Sequence, residues 1–151
     1  MAPRMAGTGD RAIEAARQFV ASLPHCRALG LSVDAAGDGT ATLSMPYAAA
    51  LVGDPATGVI HGGAISALMD TSGGAAVLLH PTGATATATM DLRIDYMRAA
   101  EPGQRITAHA HCHHMTRNVA FVRAEAFDEM PDKGPVAVAN GAFTLDRTPA
   151  P

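Results

Sequence analysis

The sequence predicts an α+β domain in which one long helix is wrapped by an antiparallel sheet. Three observations lead there. Residues 62–79 contain no proline and almost no polar side chain, so they read as a helix apolar on nearly every side and therefore buried all round. Beyond Gly83, four runs (85–97, 104–115, 119–127 and 136–145) alternate apolar and polar residues with the period of strands. The runs are joined by short turn-forming connectors at Pro102-Gly103, Thr116-Arg117-Asn118 and Pro131-Asp132-Lys133-Gly134, which favour antiparallel neighbours. A length of 151 residues fits one core, and no internal repeat or second-domain boundary is visible.

The elements follow in order. Residues 1–9 are small and polar and are expected to be a flexible N-terminus, with a single domain over 10–147 and a C-terminal tail at 148–151. Asp10 can N-cap a helix that starts at Arg11 and carries Ile13, Ala16, Phe19, Val20 and Leu23 at helical spacing, with Pro24 as its stop. Residues 29–33 and 41–45 read as two short strands around the Ala36-Gly37-Asp38-Gly39 turn. Residues 47–60 read as a loop punctuated by Gly53, Pro55 and Gly58. The long helix comes next and ends at His80-Pro81-Thr82-Gly83. On the strand after it, Thr85, Thr87 and Thr89 fall on one face, with Met90, Leu92, Ile94 and Tyr96 on the other.

Composition removes several function classes. The net charge of −3 supplies no basic field for nucleic acid. No apolar run reaches the roughly 18 residues of a membrane span, and residues 1–10 lack the apolar segment of a signal peptide, so a cytoplasmic protein is expected. Cys26 and Cys112 form no disulfide framework and no zinc spacing. Charged residues are 17% of the chain, which leaves little polar surface for a monomer and suggests buried subunit contacts.

The segment Gly58-Val-Ile-His61-Gly62-Gly63-Ala-Ile-Ser-Ala-Leu68-Met69-Asp70 carries the chemistry. A loop delivers His61 and two glycines into a helix start, where unpaired backbone N–H groups can meet an oxyanion. Asp70 lies in the apolar helix with Ser66, Ala67, Gly73 and Gly74 at i±3 and i±4. A carboxylate there needs a partner or a function, and such small neighbours leave space beside it. A purely structural Asp70 would bond Ser66 or Thr71. Gly62 and Asp70 are about 12 Å apart along one helix axis and cannot serve one carbonyl group together. Two such helices packed antiparallel would bring Gly62 of one beside Asp70 of the other, so a shared site requires at least a dimer.

This run, with Thr89-Met-Asp91-Leu-Arg-Ile-Asp-Tyr96-Met after it, resembles the hotdog-fold acyl-CoA thioesterases of the phenylacetate-degradation (PaaI-like) type, in the 4-hydroxybenzoyl-CoA thioesterase-type superfamily. The resemblance spans about residues 29–146. It implies a hotdog fold, a long helix wrapped by a curved sheet, with paired protomers joining their sheets. It implies hydrolysis of an acyl-CoA thioester, with Asp70 as base or nucleophile and the Gly62 N–H polarising the carbonyl across the interface. By the same resemblance His61 and Gly63 position the thioester, and Thr89 helps orient the water. Many relatives carry Asn or Gln before the loop where this chain has Asp54-Pro55, and an ionised Asp54 cannot donate the amide's hydrogen bond. Arg117 and Asn118, in a hairpin near where relatives hold the nucleotide, are the candidates for CoA contact. The partners implied are an acyl-CoA substrate and a homodimer or homotetramer, with no cofactor.

Other groupings are weaker. His109, His111 and His113 alternate on one strand face, but no carboxylate neighbours them and no metal site is expected. Cys112 and His114 face the other way, so Cys112 has no base beside it. Asp91 and Asp95 read as solvated or paired with Arg93. The competing functions are an acyl-carrier-protein thioesterase, a non-catalytic acyl-CoA-binding module, a hotdog dehydratase and a structural dimerisation domain.

Overall fold

The computed structural model describes residues 8–147. Helix α1 spans Thr8–Ser22 and α2 Pro24–Leu29; strands β1 (Ser32–Gly37) and β2 (Thr40–Met45) form a hairpin. After a 3-10 turn at Ala49–Leu51 come the short strands β3 (Val52–Asp54) and β4 (Val59–Ile60), then the long helix α3 (Gly62–Leu78). The rest is sheet: β5 (Thr89–Tyr96), β6 (Ile106–Met115), β7 (Val119–Phe127) and β8 (Ala137–Thr144). Six strands pair antiparallel in the order β1-β2-β6-β7-β8-β5, while β3 and β4 make a separate hairpin. α3 lies across β2, β6 and β7, the arrangement expected of a hotdog fold. Leu68 and Met69 of α3 are fully buried with Leu43, Met45, Ile106, Val122 and Phe143 of the sheet. That apolar contact stabilises the domain.

Several local expectations are corrected. Asp10 is not a cap: α1 already includes Thr8 and Gly9, so Asp10 sits in its first turn. The flexible segment expected at 1–9 otherwise falls outside the described residues over 1–7, as does the tail at 148–151. Pro24 opens α2 instead of only stopping α1, because a proline in the first helical turn lacks an N–H that would be unpaired there anyway. Leu29 belongs to α2, and the left-handed Gly30 at its end delays the first strand to Ser32. The loop expected over 47–60 folds into the β3–β4 hairpin. β5 and β6 are not neighbours: residues 97–105 form a connection long enough to step past β8 and β7 before β6 joins β2.

The most buried fastening of that crossover is an ion pair. Arg98 donates to both carboxylate oxygens of Asp128 at 2.7 Å each, and the Asp128 side chain is wholly buried. The N–H groups of Glu101 and Met130 complete its shell at 3.0 Å. The Arg98 hydrogen bonds hold the Asp128 carboxyl well below the usual carboxylate range. A charge this deep is tolerated only because it is fully bonded. Replacement Asp128→Asn is expected to cost about 3 kcal/mol at neutral pH. The carboxyl titrates lower in the folded chain than in the unfolded one, so its stabilisation is complete above the unfolded value near 3.8 and is lost as pH falls toward the folded value. Urea midpoints should therefore separate the two proteins at neutral pH and converge only below about pH 4.

Candidate active site

His61 caps α3. Its Nδ1 accepts the Gly63 N–H at 2.8 Å and its carbonyl accepts the Ala64 N–H at 3.0 Å. In the neutral ring this leaves the proton on Nε2. Among the described residues the Gly62 N–H has no acceptor. The first turn is pinned from β5: the Tyr96 hydroxyl donates to the Gly62 carbonyl at 2.8 Å. Ser66 Oγ sits 2.5 Å from that hydroxyl and 3.2 Å from the same carbonyl. A Cβ on residue 62 would lie 3.2 Å from the Tyr96 ring, so glycine permits this close approach.

Asp70 is half-buried two turns further along and takes part in no ion pair among the described residues. Its Oδ1 accepts the Thr89 hydroxyl at 2.6 Å, a charge-assisted bond. The structural reading through Ser66 or Thr71 is thus replaced: Ser66 serves Gly62, and the Thr71 hydroxyl lies 3.8 Å from Cys26 Sγ. A β-bulge between Thr89 and Asp91 breaks the alternation of β5. Thr89 therefore reaches α3 from the same side as Tyr96, where unbroken alternation had set them on opposite faces.

The space expected around Asp70 is partly filled. Gly73 and Gly74 are buried, and a Cβ on Gly73 would come within 2.8 Å of Phe143 Cζ, so Gly73 allows helix and sheet to approach and leaves no room for substrate. Open space lies instead at the start of α3. One groove of about 370 Å³ is lined by Ile60, Gly62, Ile65, Tyr96 and Met97. Another of about 320 Å³ is lined by Leu29, Leu51, Val52, His61, Gly63 and Ala67.

The remaining sequence candidates sit apart from these groups. Asp54 Oδ1 accepts the Ala56 N–H at 3.0 Å and Oδ2 the Thr57 hydroxyl at 2.7 Å, which closes the β3–β4 turn and holds the carboxyl below its ordinary range. Arg117 and Asn118 lie in the β6–β7 turn, tied through Arg147 to Gly83 just after α3. That end of α3 is about 24 Å along its axis from Gly62. His109, His111 and His113 are exposed on the outer face of the sheet. A bulge between Cys112 and His114 turns His114 outward too, leaving Cys112 buried, its thiol pushed up by burial. Among the described residues no three His, Cys, Asp or Glu side chains are grouped to hold a metal ion. Arg93 pairs with Asp95 at 3.1 Å, as read. Sequence reasoning did not include Ser66 and Tyr96 among the site residues; Ser66, one turn after Gly62, carried a signal in its spacing, whereas the contact with Tyr96 depends on the tertiary approach of β5.

A sheet wrapped on α3, with a glycine at the helix start and an acid eight residues later, defines a class. The profile of the thioesterase superfamily matches residues 57–134, and the chain belongs to that superfamily as a thioester hydrolase of hotdog fold. Among particular relatives, the chain is 29% identical over 140 residues to the medium/long-chain acyl-CoA thioesterase YigI of Escherichia coli, covering 81% of this chain and 87% of that one. A crystal structure of a Pseudomonas aeruginosa protein is 43% identical, with a TM-score of 0.78 over 88% of this chain and 98% of the other. A variant of the phenylacetic acid degradation protein PaaI from Thermus thermophilus is 28% identical, with a TM-score of 0.71 over 82% and 99%.

Thr89→Val keeps the shape of the side chain and removes the donor to Asp70. Hydrogen bonds to charged groups contribute about 1.5–3 kcal/mol. Thiol release by a folded Thr89→Val protein should fall by roughly tenfold or more, and the melting temperature should drop by several degrees as Asp70 loses its donor; wild-type turnover would assign the hydroxyl no part in the reaction.

Proposed function

We propose that the protein hydrolyses medium- to long-chain acyl-CoA thioesters in sites shared between two protomers. The observation that carries this is Asp70, a half-buried carboxylate that is held by the Thr89 hydroxyl and joins no ion pair among the described residues. The YigI resemblance and the apolar grooves beside His61 and Gly62 support the substrate class.

The proposed dimer forms at β5. Among the described residues this strand pairs only with β8, and Met90, Tyr96 and Met97 on and beside it are 59%, 50% and 59% exposed. An unpaired edge with such apolar exposure is a template for another strand. Pairing two β5 edges about a two-fold axis joins the sheets and sets the α3 helices antiparallel, which resolves the 12 Å separation of Gly62 and Asp70 within one helix. The acyl chain lies along the grooves at the helix start. The thioester oxygen accepts the Gly62 N–H, and the neutral His61 Nε2–H positions the thioester.

Asp70 of the other protomer takes a proton from water as the hydroxyl oxygen bonds to the carbonyl carbon. The oxyanion forms against the Gly62 N–H. Collapse breaks the C–S bond, and the thiolate leaves with the proton held by Asp70, giving free acid and CoA.

Asp70→Asn keeps volume and removes the base, so turnover should fall by about 10²–10⁴-fold or more. Thermal stability should hold, because the Asn amide oxygen can still accept the Thr89 hydroxyl bond. Thiol release from a panel of aryl, short and long acyl-CoAs and an acyl-carrier-protein thioester tests the reading directly. Wild-type turnover in folded Asp70→Asn would end the mechanism, binding without thiol release would make the protein an acyl-CoA-binding module, and release only from the carrier protein would change the substrate.

A further inference from the structure

The two glycines at the start of α3 are each required by a different neighbour. A Cβ on residue 62 would lie 3.2 Å from the Tyr96 ring, and one on residue 63 would come within 2.9 Å of His61 Nδ1. The peptide group between them is bonded at both ends by these same two residues. Its carbonyl accepts the Tyr96 hydroxyl at 2.8 Å, and its N–H donates to His61 Nδ1 at 2.8 Å. The carbonyl and N–H of a trans peptide lie in one plane and point in opposite directions, so fixing one end aims the other. No Cβ on either glycine limits rotation of this group, and helix ends fray, so these two bonds set its direction.

The supply of protons gives the chain a single sense. A tyrosine hydroxyl has one proton, and with it donated to the Gly62 carbonyl the Tyr96 oxygen accepts from Ser66 Oγ at 2.5 Å. The approach of Ser66 Oγ to the Gly62 carbonyl, at 3.2 Å, is the weaker of its two contacts. Donors therefore run from Ser66 to Tyr96, from Tyr96 to the Gly62 carbonyl, and from the Gly63 N–H to His61 Nδ1. The chain ends at His61 Nε2–H, which has no acceptor among the described residues. Hydrogen bonds in such a series polarise one another. The other tautomer would set an Nδ1–H against the Gly63 N–H, donor against donor. His61 is exposed, so this chain, and not close packing, orients its ring.

We infer that Tyr96 is a positioning residue: acting through the Gly62–Gly63 peptide, its hydroxyl holds His61 in the tautomer and orientation that present Nε2–H to the thioester. The inference rests on the placement of the thioester at His61 proposed above, but the tautomer exists without substrate and can be read in its absence.

The test is a two-bond proton–nitrogen correlation spectrum of the full chain labelled at its histidine nitrogens, at about pH 8, where an ordinary imidazole is mostly neutral. The His61 signals are assigned by their loss in His61→Gln. Wild type is expected to show Nδ1 unprotonated and Nε2 protonated. Tyr96→Phe keeps the ring beside Gly62 and removes only the hydroxyl; its two His61 nitrogen shifts are expected to converge as the tautomers mix. In thiol release from decanoyl-CoA, kcat of Tyr96→Phe is expected to fall about three- to tenfold with KM little changed. In a His61→Gln background the same substitution should cost almost nothing further, because Tyr96 acts through that ring, whereas a merely structural Tyr96 gives additive losses. Ser66→Ala leaves the β5 edge intact, is expected to mix the tautomers as well, and carries the test if Tyr96→Phe does not assemble like wild type. An unchanged tautomer in an assembled Tyr96→Phe protein, or in Ser66→Ala where it stands in, would overturn the inference. So would Nδ1–H in wild type or additive kcat losses. A wild type that releases no thiol would overturn the proposed reaction, and the spectra alone would then decide whether Tyr96 sets the His61 tautomer.

Discussion

A carboxylate on a helix that the sheet wraps has to sit where coverage gives way, and the rest of the molecule is arranged around that requirement. From Ser72 to Val77 every residue of α3 is buried, whereas Ser66, Ala67, Asp70 and Thr71 are only half so. β5, the last strand of the sheet, runs antiparallel to this half-covered stretch. Its first residue bonds Asp70 and its last bonds the Gly62 carbonyl. One strand therefore fixes both of the proposed reacting groups, and β8 and the Arg98–Asp128 clamp fix that strand. Asp70 is kept from being an unsatisfied buried charge by one hydroxyl, a bonding state poorer than that of Asp128 with two guanidinium and two amide donors. The contrast sets a carboxylate held for stability apart from the one proposed to act.

What was legible in the sequence follows the strength of local pattern. Residues 62–78 could be read as a buried helix because apolar side chains on every face exclude a surface one. β7 matched its expected bounds, and β6 and β8 came within two residues, because alternation there is regular and the turns are marked by glycine or asparagine. Asp70 and Gly62 stood out because an acid and a glycine pair are expensive choices in such a helix. Less was legible where tertiary contact decides. The β5 bulge shifts Thr89 by one position without changing composition. The order of strands depended on how far the 97–105 connection reaches, and Gly73 looked like open space until Phe143 came from β8 to fill it.

The proposed reaction and the proposed assembly share β5. Its backbone edge is the surface that a solitary protomer would have to protect, and its side chains hold the groups that a solitary protomer cannot bring together. Pairing two edges removes an aggregation hazard and completes two sites in one event. No rearrangement within one chain substitutes for this. The proposed oxyanion donor is a backbone N–H at the helix start, and the proposed base is eight residues further along the same rigid rod, so their separation is set by the helical rise alone. The short polar network of Tyr96, Ser66 and the Gly62 carbonyl then gains a reason for its place at an exposed edge. It fixes the first turn of α3 to the strand that forms the contact, so the proposed oxyanion donor moves with the interface it serves. A loop-borne donor would be decoupled from that contact, whereas one on the strand-anchored helix turn is placed by the dimerisation that delivers the acid.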